Sequence, residues 1–330
     1  MKTFILFVVL ALCAGFSRAQ TGALAAPGFH HLHLNSVDPE AAIPFYIEHF
    51  PSTSKATFAG LPALKAGKVW VLFTKVGKPA AIEPQTAYWH FGWNVPDSRK
   101  NRDLYRQRKD PNLRPLYTGD GDQTVDVSSD TWPGAAGTLG RTRPQIAEAK
   151  AQGIQPTRTG GFAYLNGPDR ALVEYAGNYP PVERFNHVHM YQEHPVCAQL
   201  WYQKHLLSAP RQGAPPLGPE ITERNCKVPA AEKGWPGLER EGLIRAPAGG
   251  VLFDDVAMNW YVQQDSKPLA PTRGHLMDHV GLSVTNLDAW IAKLQKEGVK
   301  FLGKTYKVGE SRAIMIEGPS REAIELVEIR

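Results

Sequence analysis

The stretch Phe29-His30-His31-Leu32-His33-Leu34 decides how the chain is read, because the same pattern returns at Phe185-Asn186-His187-Val188-His189. Two variants lie between and after them, Tyr88-Trp89-His90-Phe91-Gly92 and Asp278-His279-Val280-Gly281-Leu282. In chain order the series is HxH, HxG, HxH, HxG, each within an alternating apolar stretch, and the whole chain has only 11 histidines. Further echoes follow in order. Gly167-Pro168-Asp169-Arg170-Ala171-Leu172-Val173-Glu174 matches Gly318-Pro319-Ser320-Arg321-Glu322-Ala323-Ile324-Glu325, and Val71-Leu72-Phe73 matches Val251-Leu252-Phe253. The span from His31 to Glu174 nearly equals that from His187 to Glu325. The chain therefore reads as a duplicated domain, 27–178 and 183–329, whose halves are themselves pairs of smaller modules.

Periodicity places these residues on elements. Each histidine falls on a short strand, with further strands at Val69–Phe73, Phe162–Tyr164, Ala171–Glu174, Val256–Val262 and Ile324–Ile329. Asn286 is a cap before the helical stripe Leu287, Trp290, Ile291 and Leu294, which Gly298 closes. Asp38-Pro39 starts another helix, in which Pro44 predicts a kink or a late start. Arg143 to Gly153 reads as one more short helix. Residues 110–142 and 208–250, rich in Gly and Pro, are long loops: lids and binding surfaces, or tolerated insertions.

Alternation puts His31 and His33 on one strand face, and likewise His187 and His189. If the two modules of a half curve into one cup, His31, His90 and Glu174 meet on its floor, and His187, His279 and Glu325 meet in the other. Two imidazoles and a carboxylate form a facial triad that leaves coordination positions open. Such a set suits a divalent metal, Fe(II) first, with Mn(II), Ni(II) and Zn(II) compatible. His33 and His189 share the face, but Gly92 and Gly281 stand at that position in the other two modules, so the first histidine is taken as the ligand.

These motifs resemble the vicinal oxygen chelate superfamily, which includes glyoxalase I, bleomycin- and fosfomycin-resistance proteins, methylmalonyl-CoA epimerase and extradiol dioxygenases. The resemblance rests on the four histidine segments, on Phe45-Tyr46 and on the Gly-Pro-x-x turn before each glutamate. It implies an α+β fold of two tandem domains, each of two βαβββ modules forming an open barrel-like cup, and a small-molecule substrate. The segment from Ala163-Tyr164 to Glu174-Tyr175 is similar to the closing segment of extradiol dioxygenases, which implies a catalytic Tyr164 beside the metal-bound substrate. Its counterpart, Met315, cannot donate a hydrogen bond, which favours the first half as the catalytic one. Dioxygenase-like chemistry is the leading expectation, with an isomerase or lyase and a non-catalytic binding or resistance protein as alternatives. The chain departs from the dioxygenase pattern in lacking histidines between His90 and Glu174, and His49 falls in a helix. It departs from glyoxalase I because the strands near Val71 and Val256 offer no second glutamate.

Composition narrows the setting. Of 330 residues, 42% are hydrophobic and 21% charged, enough for a core in each half. The net charge is +5, and there is no basic run or basic-aromatic stripe to suggest nucleic acid. Lys2, the apolar run Phe4 to Phe16 and Ser17-Arg18-Ala19 read as a secretory signal cut after Ala19, implying a secreted or periplasmic protein without stable membrane insertion. Cys197 and Cys226 then remain, either bridged or as two buried thiols.

Overall fold

The computed structural model describes residues 24–81, 83–114, 116–117, 124–125, 148, 151–153, 162–177, 182–211, 217–227, 249–263 and 267–329. The expected signal segment, most of the expected helix from Arg143 and much of both long loops lie outside them. Among the described residues, no helix is long and apolar enough to cross a membrane.

Four βαβββ modules follow one another. The first comprises β1 (Gly28–Ser36), α1 (Pro39–His49), β2 (Thr53–Phe58), β3 (Leu61–Ala66) and β4 (Val69–Lys75). The second has β5 (Tyr88–Asn94), α2 (Ser98–Gln107), β6 (Leu113–Arg114), β9 (Phe162–Asn166) and β10 (Leu172–Ala176); a small hairpin, β7 (Leu116–Tyr117) and β8 (Thr124–Val125), interrupts it. The third has β11 (Arg184–Gln192), α3 (Pro195–Leu206), β12 (Ala209–Pro210), β13 (Gly249–Phe253) and β14 (Val256–Val262). The fourth has β15 (Met277–Val284), α4 (Leu287–Lys296), β16 (Tyr306–Val308), β17 (Ser311–Glu317) and β18 (Ala323–Glu328). In each module the helix carries the chain across so that the first strand lies parallel to the last, as a crossover connection requires.

Caps and apolar stripes explain the helices. Asp38 accepts the Ala41 N–H at 3.3 Å and Asn286 accepts the Ala289 N–H at 3.0 Å. α4 buries Leu287, Trp290 and Leu294 as its stripe requires, and Gly298 follows at φ +75°. Pro44 does not delay α1, which starts at Pro39 and runs unbroken past it. Burial of Ala42, Ile43 and Tyr46 outweighs the one backbone hydrogen bond a proline removes.

The α+β class and the βαβββ modules stand as read, but the modules pair differently in space. The two eight-stranded sheets run β16-β17-β18-β15-β1-β4-β3-β2 and β12-β13-β14-β11-β5-β10-β9-β6. The first module thus joins the fourth, through antiparallel β1 and β15, and the second joins the third, through antiparallel β5 and β11. Aromatic rings bridge the two sheets. Phe29 stacks on Phe185 with ring centroids 5.9 Å apart, and Tyr46 of α1 stacks on Trp93 of β5 at 5.9 Å. Cys197 of α3 is bridged to Cys226, which resolves the open alternative in favour of a disulfide.

Candidate metal centres

Register brings the histidines together. Across β5 and β11, His189 stands opposite His90 and His187 opposite Gly92; across β1 and β15, His33 stands opposite His279 and His31 opposite Gly281. The HxH and HxG motifs are therefore complementary halves of one arrangement. A Cβ at Gly92 would lie 2.4 Å from the Glu174 carbonyl oxygen and 2.6 Å from the His187 ring, and one at Gly281 would lie 2.0 Å from the His31 ring. Each glycine makes room for the imidazole facing it.

The expected grouping is corrected accordingly. His31 does not meet His90 and Glu174, and His187 does not meet His279 and Glu325. Instead His90 and Glu174 gather with His187 and His189, and all four offer ligand atoms within 4.8 Å of one another. Glu174 Oε2 lies 2.8 Å from His90 Nε2, 3.7 Å from His187 Nε2 and 3.6 Å from His189 Nδ1. In the other sheet, His31 Nε2 lies 3.3 Å from His279 Nε2 and 3.4 Å from Glu325 Oε2. His33 stacks on His279 with ring centroids 4.5 Å apart. Every one of the six expected ligands is buried in one of these two clusters. The groups differ because the two modules of each half lie in different sheets.

Electrostatics keep the donors ready for a cation. Burial drives His31 and His90 well below the ordinary imidazole value. It lowers His187 to about 4 against the opposing pull of Glu174, and lowers His33 to about 3 with help from His279. These rings are neutral at neutral pH, as metal ligands must be. Burial pushes the carboxyls of Glu174 and Glu325 up, so each gains by meeting positive charge.

Outer contacts orient the rings. His187 Nδ1 donates to Asn186 Oδ1 at 2.8 Å, and its buried Nε2 has no hydrogen-bond partner among the described residues. His279 Nδ1 donates to Asp278 Oδ1 at 2.6 Å, which leaves the Nε2 lone pair toward His31 Nε2 at 3.3 Å. A buried nitrogen with nothing to bind, among other lone pairs and a carboxylate, is the donor set a divalent metal satisfies. The residues present fit the metal.

The expected catalytic Tyr164 lies opposite Glu174 across β9 and β10 and hydrogen-bonds to its carboxylate. Met315 is its counterpart opposite Glu325, as read. The second cluster nevertheless has a phenol, because Tyr306 on the edge strand β16 donates to Glu325 Oε1. No echo in the sequence announces Tyr306. The second histidines of the HxH pairs, not expected as ligands, both face the clusters. Their Nε2 atoms are engaged from the adjoining strands, His189 by Asn259 at 3.1 Å and His33 by Thr74 at 2.7 Å. His49, read as helical, lies in α1 and pairs with Asp110 at 2.8 Å, in neither cluster.

No protein-family model matches the chain, and no curated protein matches it by sequence. Solved structures do. Glyoxalase I from Zea mays aligns over 92% of both chains with a TM-score of 0.55 at 12% identity. A point mutant of the same enzyme gives a TM-score of 0.54 at 10% identity, over 92% of this chain and 94% of that one. The chain has the vicinal oxygen chelate fold. A candidate dioxygenase from Bacillus subtilis aligns over 93% of this chain and 86% of its own, with a TM-score of 0.50 at 9% identity. The vicinal oxygen chelate fold is shared here between proteins named for different reactions, so the reaction must be argued from the centres themselves.

Proposed function

We propose that the protein is an exported, metal-dependent enzyme acting on a small oxygen-chelating molecule, with dioxygenase-like chemistry at the centre of His90, His187 and Glu174. The observation that carries this reading is Glu174 Oε2 lying 2.8 Å from His90 Nε2 and 3.7 Å from His187 Nε2, with the Tyr164 phenol on the same carboxylate. Those two imidazoles and the carboxylate would hold Fe(II), with Mn(II), Ni(II) or Zn(II) as substitutes. Such a metal, when bound, supplies a Lewis acid with open positions for ligand oxygens.

The chain's own residues supply the rest. With its proton on Nδ1, neutral His90 would offer a cation the Nε2 that lies 2.8 Å from Glu174 Oε2. Tyr164, fully buried, engages the Glu174 carboxylate, and burial pushes its phenol well up so that it keeps its proton within the centre. Trp89, stacked on Tyr191 with centroids 5.0 Å apart and edge-on to Tyr261 at 5.2 Å, walls the His90 side with aromatic surface suited to a flat ligand. The Cys197–Cys226 bridge agrees with export to an oxidising compartment.

One observation favours the isomerase or lyase reading. His189 Nδ1, 3.6 Å from Glu174, can supply a fourth protein donor and leave fewer open positions. Anaerobic loading with Fe(II), followed by oxygen uptake over a panel of catechols, separates the two. Uptake stoichiometric with ring cleavage is expected. Turnover of hydroxyacids or thiol adducts without oxygen consumption would replace the oxygenase assignment by the second. N-terminal sequencing of secreted protein tests export, with Gln20 the expected first residue.

A further inference from the structure

The second cluster differs from the first at its rim. Tyr306, whose hydroxyl holds Glu325, is 37% exposed, whereas Tyr164 is 2% exposed, so the phenol of the second cluster reaches solvent. Arg273 lies in the turn before β15, with Nε 2.9 Å from Asp278 Oδ1 and a side chain 53% exposed. The Asp278 carboxylate is already saturated, taking His279 Nδ1 at 2.6 Å, the Gly274 N–H at 2.7 Å and Asn35 Nδ2 at 3.3 Å. One edge of the guanidinium is thus anchored, while the group as a whole stands at the surface. Its charge reaches inward: burial pushes Tyr306 and Glu325 up and Arg273 opposes that more weakly, while at His33 burial lowers the ring and Arg273 adds to it. A pre-positioned guanidinium beside a cation-holding floor recognises a carboxylate through paired N–H donors.

We propose that the cluster of His31, His279 and Glu325 is a binding centre for small carboxylate-bearing chelators, with the carboxylate on Arg273 and an adjacent oxygen within reach of Tyr306. The assignment rests on the reading that these donors hold a metal, and it makes the two centres different in ligand class. The first would take a flat, aromatic-walled ligand and the second a small organic acid.

The test uses the full chain loaded with Co(II), with oxalate as the probe, the cobalt visible spectrum and calorimetry as readouts, and circular dichroism as the folding control. Oxalate is expected to perturb the spectrum of the cobalt that Glu325→Ala removes. Arg273→Met is expected to weaken oxalate about tenfold or more with cobalt content unchanged, Arg273→Lys to restore part of that, and Tyr306→Phe to weaken it about threefold. Cobalt content unaffected by Glu325→Ala would overturn the metal reading and the proposal with it. Cobalt lost in Glu325→Ala, but oxalate affinity indifferent to Arg273→Met, would overturn the anion assignment alone.

Discussion

His279 and His90 occupy the same position in their modules, yet only His279 has a second carboxylate behind it, on Nδ1. Asp278, immediately before His279, accepts its Nδ1 proton at 2.6 Å; the residue before His90 is Trp89, and the buried His90 Nδ1 has no hydrogen-bond partner among the described residues. A carboxylate behind an imidazole fixes its tautomer and raises its basicity toward a metal. The centre with Asp278 is thereby built to hold a cation tightly beside a charged, open rim. The centre with Trp89 is enclosed, and its imidazole competes less strongly for the metal, which leaves the cation a stronger acid toward a substrate oxygen. One arrangement of strands, duplicated, has diverged through the residue beside a ligand rather than through the ligands themselves.

The largest effect tests which residues belong together. Glu174→Ala and Glu325→Ala should each remove one equivalent of bound metal. Combining His31→Ala with Glu325→Ala should cost one equivalent in total, and combining His31→Ala with Glu174→Ala should cost two, measured by elemental analysis. The reverse result would restore the grouping by chain order. Acid should release metal late: with His187 lowered to about 4, protons compete only well below the ordinary imidazole range, so metal should persist at pH 6 and be lost as pH nears 4. The metal-free protein should lose stability over the same fall from about 6.5 toward 4, because there the unfolded chain binds protons that the buried ring refuses.

Next come the glycines. Gly92→Ala should displace the His187 ring, and Gly281→Ala the His31 ring, each costing roughly 1–3 kcal/mol in denaturant unfolding. The selective outcome sharpens the comparison: Gly92→Ala should lower metal affinity only at Glu174, and Gly281→Ala only at Glu325. Equal loss at both centres would mean that the glycines serve general packing instead.

These positions also show what was legible beforehand. Recurrence of HxH and HxG exposed the four modules, and period-two alternation placed the ligands on strand faces. Pairing of modules was not legible, because a βαβββ unit is nearly the same length whichever partner it meets, and only the edge-to-edge fit of β1 with β15 and β5 with β11 decides it. The glycine of HxG carried that information, since a missing Cβ implies a bulky group opposite, but nothing in one sequence names the group. Tyr306 was hidden for another reason. It reaches Glu325 from a three-residue edge strand, where local pattern is too short to read.

Asp278→Asn should come third, weakening metal at the Glu325 centre by about 10- to 100-fold, with little change at Glu174. Trp89→Phe, at the matching position, should leave both metal affinities within about twofold, since the indole contributes a wall and no proton acceptor. Competition titrations with a chromogenic chelator measure both. An Asp278→Asn variant that binds metal as before would remove the main contrast between the centres.

The smallest effect asks whether the two centres are energetically separate. Tyr88 lies on β5, two residues before His90, but its hydroxyl serves the other sheet, donating to the Ala323 carbonyl at 2.7 Å and accepting the Val280 N–H at 3.3 Å. Ala323 is two residues before Glu325, and Val280 directly follows His279. Tyr88→Phe removes both bonds inside the core and should cost about 1–2 kcal/mol of stability. If the hydroxyl mainly steadies β15 and β18, metal affinity should fall a few-fold at the Glu325 centre and stay unchanged at the Glu174 centre, although Tyr88 belongs to the strand of the latter. Weakening of both in the same variant would show instead that β5 transmits strain to His90, and the two centres would then have to be treated as one coupled system.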